Sequence, residues 1–281
     1  MDKLLPLLQL AATKTLAMDE GWAISQLAEI LLSQELNLKK VPESIDIYDG
    51  KTYKGEYDPV APIKNGTIAH ISFSGVMMEN GGWCQKGMNQ IALDLRGLYA
   101  NPNISGILFS LSTGGGEATS ADVLFNAIKD RNKPVGIYTT YLASAGVKGT
   151  LAADFIMAAS ESTEVGSIGV MIQLNKDLLT QLKEKYLTIY SSKSENKNEE
   201  IRALLLEDVN PMIDRLTKLD DAFMAQVQKY RNLKGDVEET LSGRVFPGLE
   251  ALNRGLVDKI GTFNDAISSL EKQIHYYQST K

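Results

Sequence analysis

Apolar and polar positions along this chain change period several times, and each change marks an element. From residue 67 to residue 73, Thr67-Ile68-Ala69-His70-Ile71-Ser72-Phe73 alternates and predicts a strand. Residues 88–99 return to helical spacing, and 104–110 read as a second strand. A helix follows over 119–131, with Thr119 or Ser120 able to cap it and Asp122 in its first turn. Pro134-Val135-Gly136-Ile137-Tyr138 predicts a strand, 145–153 a helix, and 154–158 and 166–172 two more short strands. Strands separated by helices imply an α/β fold with largely parallel pairing.

The flanks differ from this centre. Residues 20–36 place Trp22, Ile24, Leu27, Ile30 and Leu31 at helical spacing. The polar stretch over 37–63, with Pro42, Gly50, Gly55, Pro59 and Pro62, has the composition of a linker. The expected division is therefore a helical segment and linker over 1–63, a core over 64–262 and a tail helix over 263–281. Late in the core, 186–191 read as a strand and 193–200 as a polar loop. A long helix then carries Ile201, Leu204, Leu205, Val209, Ile213, Leu216, Leu219, Phe223 and Val227, kinked or restarted at Pro211. That stripe suits a core or a subunit contact.

Composition narrows the classes. The 281 residues carry a net charge of −6, and no basic stripe offsets it, which argues against nucleic acid as the main partner. The single cysteine, Cys84, forbids an internal disulfide, cannot build a zinc site alone and fits a reducing, cytoplasmic compartment. No run approaches the roughly 18 apolar residues of a membrane span. The run from Leu4 to Ala12 is as long as a signal-peptide core, but Met1-Asp2-Lys3 before it has no excess positive charge. It is expected to be a helix packed on the body.

Candidate chemistry sits where two apolar runs end. The first, from Ile104 to Leu111, closes on Ser112-Thr113-Gly114-Gly115-Gly116. Glycines there let backbone N–H groups approach a ligand closely, and adjacent N–H groups can form an anion-stabilising hole. The second leads into Tyr141-Leu142-Ala143-Ser144-Ala145-Gly146-Val147. A serine at a strand-to-helix turn, among residues too small to cover it, is presented as a nucleophile would be. Together these point to acyl chemistry at a carbonyl.

The usual base for such a serine is histidine, and there are only two. His70 lies in a strand pattern and reads as a sheet residue; His275, beside Tyr276 and Tyr277, reads as surface. Cys84 as a rival nucleophile has no histidine partner either. A lysine base becomes the better reading. Lys148 lies four residues beyond Ser144, one turn along the same predicted helix, and can share its face.

Five elements in order resemble the signal-peptide-peptidase-A-like serine peptidases, and within them the head-maturation proteases of tailed phages. Ser112-Thr113-Gly114-Gly115 is similar to the family's Ser-Pro-Gly-Gly, and Ala143-Ser144-Ala145-Gly146 to its Ala-Ser-Gly-Gly, followed by Ala152-Ala153-Asp154. Gly166-Ser167-Ile168-Gly169-Val170 stands unaltered. Lys197, in Lys193-Ser194-Glu195-Asn196-Lys197, resembles the family's base in a polar loop, Glu164, Lys193 and Ser194 being possible helpers. Gly243-Arg244-Val245-Phe246, Ala251, Gly255-Leu256-Val257-Asp258 and Gly261 resemble the closing element. Two positions depart from the pattern. Thr113 in place of proline is expected to loosen the turn without removing its N–H groups, and Ala145 in place of glycine keeps its N–H.

The resemblance implies a Clp-protease/crotonase-like spiral of ββα units with an N-terminal helical appendage. It implies a Ser144–Lys197 dyad, an oxyanion hole from the N–H groups of Gly115 and Ala145, and no cofactor or metal. It further implies a homo-oligomer acting on protein substrates such as a scaffold, portal or capsid protein, without stable membrane insertion, in the host cytoplasm or the assembling procapsid. A signal-peptide peptidase, a crotonase-like CoA-thioester enzyme and a non-catalytic assembly protein are the alternatives.

Overall fold

The computed structural model describes residues 16–18, 44–50, 52–81 and 85–280. The apolar run at 4–12, the helix expected over 20–36 and Cys84 lie outside them.

Four strands alternate with short strands and helices, and the alternation is the architecture. Strand β4 (Thr67–Ser74) leads to helix α1 (Met88–Ala100). Strand β5 (Ile104–Ser112) leads through β6 (Gly115–Glu117) to α2 (Ala118–Lys129). Strand β7 (Val135–Thr139) leads through β8 (Tyr141–Ala143) to α3 (Ala145–Thr150). Strand β9 (Phe155–Ala158) leads to β10 (Glu164–Gly166). This is the expected α/β fold of repeated ββα units. Beyond it come α4 (Lys176–Lys185), α5 (Glu199–Leu205), α6 (Asn210–Tyr230), α7 (Val237–Thr240), β11 (Val245–Pro247), α8 (Gly248–Asn253), β12 (Lys259–Ile260) and α9 (Phe263–Ser279).

Three short strands precede β4: β1 (Leu16–Met18), β2 (Ile45–Tyr48) and β3 (Tyr53–Glu56). The main sheet runs β12-β9-β7-β5-β4-β2-β3, parallel from β12 to β4, with β2 and β3 added antiparallel at the edge. The stretch expected as linker is therefore partly sheet, because β2 and β3 are four residues each and too short for periodicity to expose between turn residues. The short strands pair among themselves, β11-β10-β8 in one sheet and β1-β6 in another.

Alternation along the central strands gives the sheet two covered faces. Ala69, Ile71 and Phe73 of β4 and Ile107, Phe109 and Leu111 of β5 face a cluster that takes in Met88, Ile91, Leu95 and Leu98 of α1 and Leu124 and Ile128 of α2. Ile68 and Leu108 point the other way, onto Ala266, Ile267, Leu270 and Ile274 of α9. Gly106 belongs to this second face, where a Cβ would lie 2.9 Å from Ile274 Cδ1. Helix α9 starts at a capping box in which Thr262 and Asp265 satisfy each other's backbone N–H groups.

Several local expectations give way to tertiary contacts. Helix α2 is preceded by Glu117 rather than capped by Thr119 or Ser120; the Ser120 hydroxyl donates to the Glu117 carbonyl instead, at 2.6 Å. Of the strand expected over 166–172, only Gly166 belongs to β10, since Ser167 turns to φ 50° and donates its N–H to Arg244 O. Residues 186–191 form no strand: they join none of the described sheets, and Leu187 is 88% and Ile189 83% exposed. The long helix is two, α5 and α6, separated by a turn with Glu207 at φ 65° and restarted at Pro211.

Two aspartates lock the flanks. Asp154 accepts Arg131 Nε and Nη2 (2.9 and 3.0 Å), the Val135 N–H (2.7 Å) and the Tyr277 hydroxyl (2.8 Å), joining the turn after α2 to β7 and α9. Asp258 takes a bidentate Arg231 at 3.0 and 2.8 Å and the Ile156 N–H at 2.7 Å. The Asp154 side chain is 9% exposed, so its removal strands a half-buried guanidinium and a strand N–H together. Asp154→Ala should cost about 3 kcal/mol in urea unfolding. The double variant with Arg131→Met should cost less than the two single losses combined. A loss below about 1 kcal/mol for the single variant would contradict this role.

Candidate active site

Strand β8 ends at Ala143 and helix α3 begins at Ala145, leaving Ser144 as the hinge between them. Its backbone sits at φ 53°, ψ −114°, a conformation that costs a residue with a Cβ of order 1–3 kcal/mol. Surrounding hydrogen bonds impose it. The Ser144 N–H donates to Gly166 O at 2.9 Å, its carbonyl accepts the Lys148 N–H at 3.1 Å, and the Ala143 N–H donates to Thr113 O at 2.9 Å. Ser144 is 1% exposed, and its hydroxyl donates to Gly169 O at 3.2 Å. Ala145 opens α3, so its N–H has no acceptor within the helix.

The glycine turn is fastened to the same strand. Thr113 donates its N–H to Tyr141 O at 2.8 Å and accepts from Ala143, so the residues after β5 pair with β8. Gly116 is required by close approach, since a Cβ there would lie 1.9 Å from Met77 O. Gly146 is required likewise, its Cβ falling 2.5 Å from Thr113 Cγ2. The two glycine-containing motifs thus pack directly on one another, with Gly115 at φ 102° in the turn.

Thr113 does not loosen this turn. Its buried hydroxyl donates to Gly75 O at 2.7 Å and accepts the Gly115 N–H at 3.0 Å. Threonine therefore replaces a ring constraint with hydrogen bonds. The same contact occupies the N–H that Gly115 would offer an oxyanion.

The lysines separate clearly. Lys148 Nζ lies 2.7 Å from Asp122 Oδ1 with 16% of its side chain exposed, an ion pair that a proton-accepting lysine would have to give up. Lys197 is exposed in a run of turns, its N–H donating to Ser194 O at 3.1 Å. Among the described contacts none joins it to Ser144. Lys193, Ser194 and Glu164 are exposed as well.

His275 is exposed, and His70 is buried on the α9 face of the sheet. Its Nε2 lies 2.8 Å from Ser110 Oγ and its Nδ1 3.6 Å from Asp46 Oδ2. Burial holds this imidazole below its usual pKa against the pull of Asp46. The Asp46, His70 and Ser110 order resembles a charge-assisted triad. However, Ser110 lies inside β5, paired to β4 and β7, with no strand-to-helix turn to present it.

Sequence patterns assigned no role to Gly169 and Asp220, two residues near Ser144. Gly169 supplies the carbonyl that holds its hydroxyl, and Gly169 also lines a pocket of about 360 Å³. Asp220 of α6 lines that pocket and accepts the Val170 N–H at 2.7 Å. Burial raises the Asp220 carboxyl pKa, while the Val170 hydrogen bond opposes the rise. Asp220 lies fifty residues from Val170, on the half-buried face of α6 that also carries Phe223 and Val227, so only folding reveals its partner.

Among the described residues no helix is long and apolar enough to cross a membrane. The chain resembles the putative signal peptide peptidase SppA of Enterococcus faecium, 31% identical over 228 residues, covering 74% of this chain and 64% of that one. It also resembles the head-tail preconnector protein GP5 of Enterobacteria phage P21, 25% identical over 215 residues, covering 74% of this chain and 42% of that one. The chain thus spans less than two thirds of either relative's length. A ClpP1 variant from Listeria monocytogenes aligns over 70% of this chain and 94% of its own, with 16% identity and a TM-score of 0.41. The model of peptidase family S49 matches residues 127–276, which include Ser144, the Gly166–Val170 element and Asp258. With more than half of its length matched, the chain belongs to peptidase family S49.

Proposed function

We propose that this protein is a serine endopeptidase in which Ser144 attacks a peptide carbonyl and Lys197 takes the hydroxyl proton. One observation carries the reading: a serine held at φ 53° between a strand and a helix, its hydroxyl turned to Gly169 O beside a pocket that Gly169 lines. Family membership supports it. The Ala145 N–H and, once Thr113 Oγ1 yields it, the Gly115 N–H would stabilise the oxyanion, each such donor contributing on the order of 3 kcal/mol. In the resting arrangement the hydroxyl points at Gly169 O, and an amide carbonyl cannot accept its proton. A base must therefore be brought to Ser144, and a lysine serves only when neutral.

Assembly of copies is the proposed means. On either side of Lys197 in the sequence the chain exposes Tyr186, Leu187, Ile189, Leu206, Val209 and Ile213, apolar side chains that a homo-oligomer would cover and dehydrate. The substrates proposed are proteins of an assembling phage head, a reading that rests on the similarity to the phage preconnector protein. The similarity to a signal peptide peptidase favours signal peptides as the second reading. Co-expression with scaffold and portal proteins, or with a signal peptide, distinguishes the two by which one is cut.

Ser144→Ala should abolish cleavage with unchanged thermal unfolding, and wild-type cleavage by that variant would remove Ser144 as nucleophile. Lys197→Ala and Lys197→Arg should fall to the same background, because arginine does not release its proton in a protein. Lys148→Arg, which keeps the ion pair with Asp122, should retain most activity. Rates measured from about pH 6 to 9 should rise with pH for wild type and Lys148→Arg alike. A dead Lys148→Arg beside a live Lys197→Ala would transfer the base to α3.

Thr113→Val keeps the side-chain volume but removes the hydroxyl shared by Gly75 O and the Gly115 N–H. It should lose about 1–3 kcal/mol of stability to an unsatisfied buried acceptor. Turnover of the folded fraction should be maintained, since the Gly115 donor is freed. A drop in kcat of more than about tenfold, with the fold intact, would exclude Gly115 as an oxyanion donor.

Light scattering should report an oligomer at micromolar concentration, and Leu187→Glu with Ile189→Glu should dissociate it. A strict monomer for the unaltered chain would contradict assembly.

A further inference from the structure

We propose that Asp220 makes the pocket beside Ser144 select substrates with lysine or arginine next to the scissile bond. The proposal rests on the peptidase reading above and adds the substrate class. Gly169 links the two places: its carbonyl accepts the Ser144 hydroxyl, and the residue lines the pocket. A substrate carbonyl presented to Ser144 therefore has an adjacent side chain within reach of this space.

The lining is suited to one kind of side chain. Ile168, Val170, Met171, Met224 and Leu241 supply apolar walls, and Asp220 is the single charged residue of the lining. Its Oδ1 is held by the Val170 N–H at 2.7 Å, and among the described residues no cation is paired with it. A partly buried carboxylate with no cation paired to it gains from a cation delivered by a ligand. Lysine and arginine combine an aliphatic stem for the methionine and leucine walls with a cationic tip for Asp220. Acidic side chains would meet a like charge in the same pocket, which adds exclusion to attraction.

Asp220 also belongs to the wall mechanically, because its Oδ1 fixes the loop carrying Gly169. Asp220→Asn separates the two roles, since the amide oxygen still accepts from Val170 while the charge is gone. Internally quenched peptides would carry Lys, Arg, Leu or Glu on either side of one scissile bond. Wild type should cleave the Lys and Arg peptides with kcat/KM at least about tenfold above the Leu peptide, and the Glu peptide most slowly. In Asp220→Asn the Lys-to-Leu ratio should fall to about one. As a reading free of catalysis, Ser144→Ala should bind the uncleaved Lys peptide more tightly than the Leu peptide by calorimetry, and lose that difference when combined with Asp220→Asn. Absence of cleavage for every peptide, with the binding difference intact, would defeat the peptidase reading and leave the pocket assignment standing. Equal binding and equal cleavage of Lys and Leu peptides by the unaltered pocket would overturn the assignment. So would an Asp220→Asn effect that lowers all peptides alike and shifts the pH profile, since that would pair Asp220 with the base.

Discussion

Three segments distant in sequence are joined at Ser144 by main-chain hydrogen bonds, and the site depends on that junction. Thr113 and β8 exchange two bonds, Thr113 N–H to Tyr141 O and Ala143 N–H to Thr113 O, while the Ser144 N–H reaches Gly166 O. Each bond contributes about 1 kcal/mol net, comparable with the cost of holding a serine at φ 53°. The strain is held because the backbone on either side has no other set of partners. Small side chains are a consequence: Gly146 must clear Thr113 Cγ2, and Ala143 and Ala145 are fully buried beside it.

The sheet makes this junction rigid. Both of its faces are covered, by α1 and α2 on one side and α9 on the other, so the strand ends that carry the turns cannot shift independently. Asp154 and Asp258 fasten the periphery by taking strand N–H groups and arginines together. Both fall in motifs that the family resemblance singles out, and in the fold both are occupied by structural partners. Their place in those motifs is explained by support of the sheet, not by proton transfer.

Against that rigid frame, the region from residue 172 to about 209 is mostly exposed and carries Lys197. With the proposed nucleophile on the core and the proposed base on an exposed segment, the resting state has the Ser144 hydroxyl held by Gly169 O. Such a division keeps chemistry conditional on what covers the segment. Thr113 adds a second condition, since its hydroxyl already accepts the Gly115 N–H.

The sequence by itself determined the elements whose signals are local. The apolar periods located β4, β5, α1 and α2 to within a few residues, and the paired small-residue motifs located the Ser144 turn. These are legible because a buried strand or helix face repeats in its own residues. Elements that depend on a distant partner were not. Strands β2 and β3 are defined by an edge to add to, whereas Tyr186, Leu187 and Ile189 have strand-like composition and join none of the described sheets. The part of Gly166–Val170 beyond β10 is bent by Arg244 O and by Asp220, neither of which periodicity can see. The hydroxyl of Thr113 and the carboxylate of Asp220 acquired their meaning only from tertiary structure, because hydrogen-bond partners 38 and 50 residues away leave no trace in local spacing.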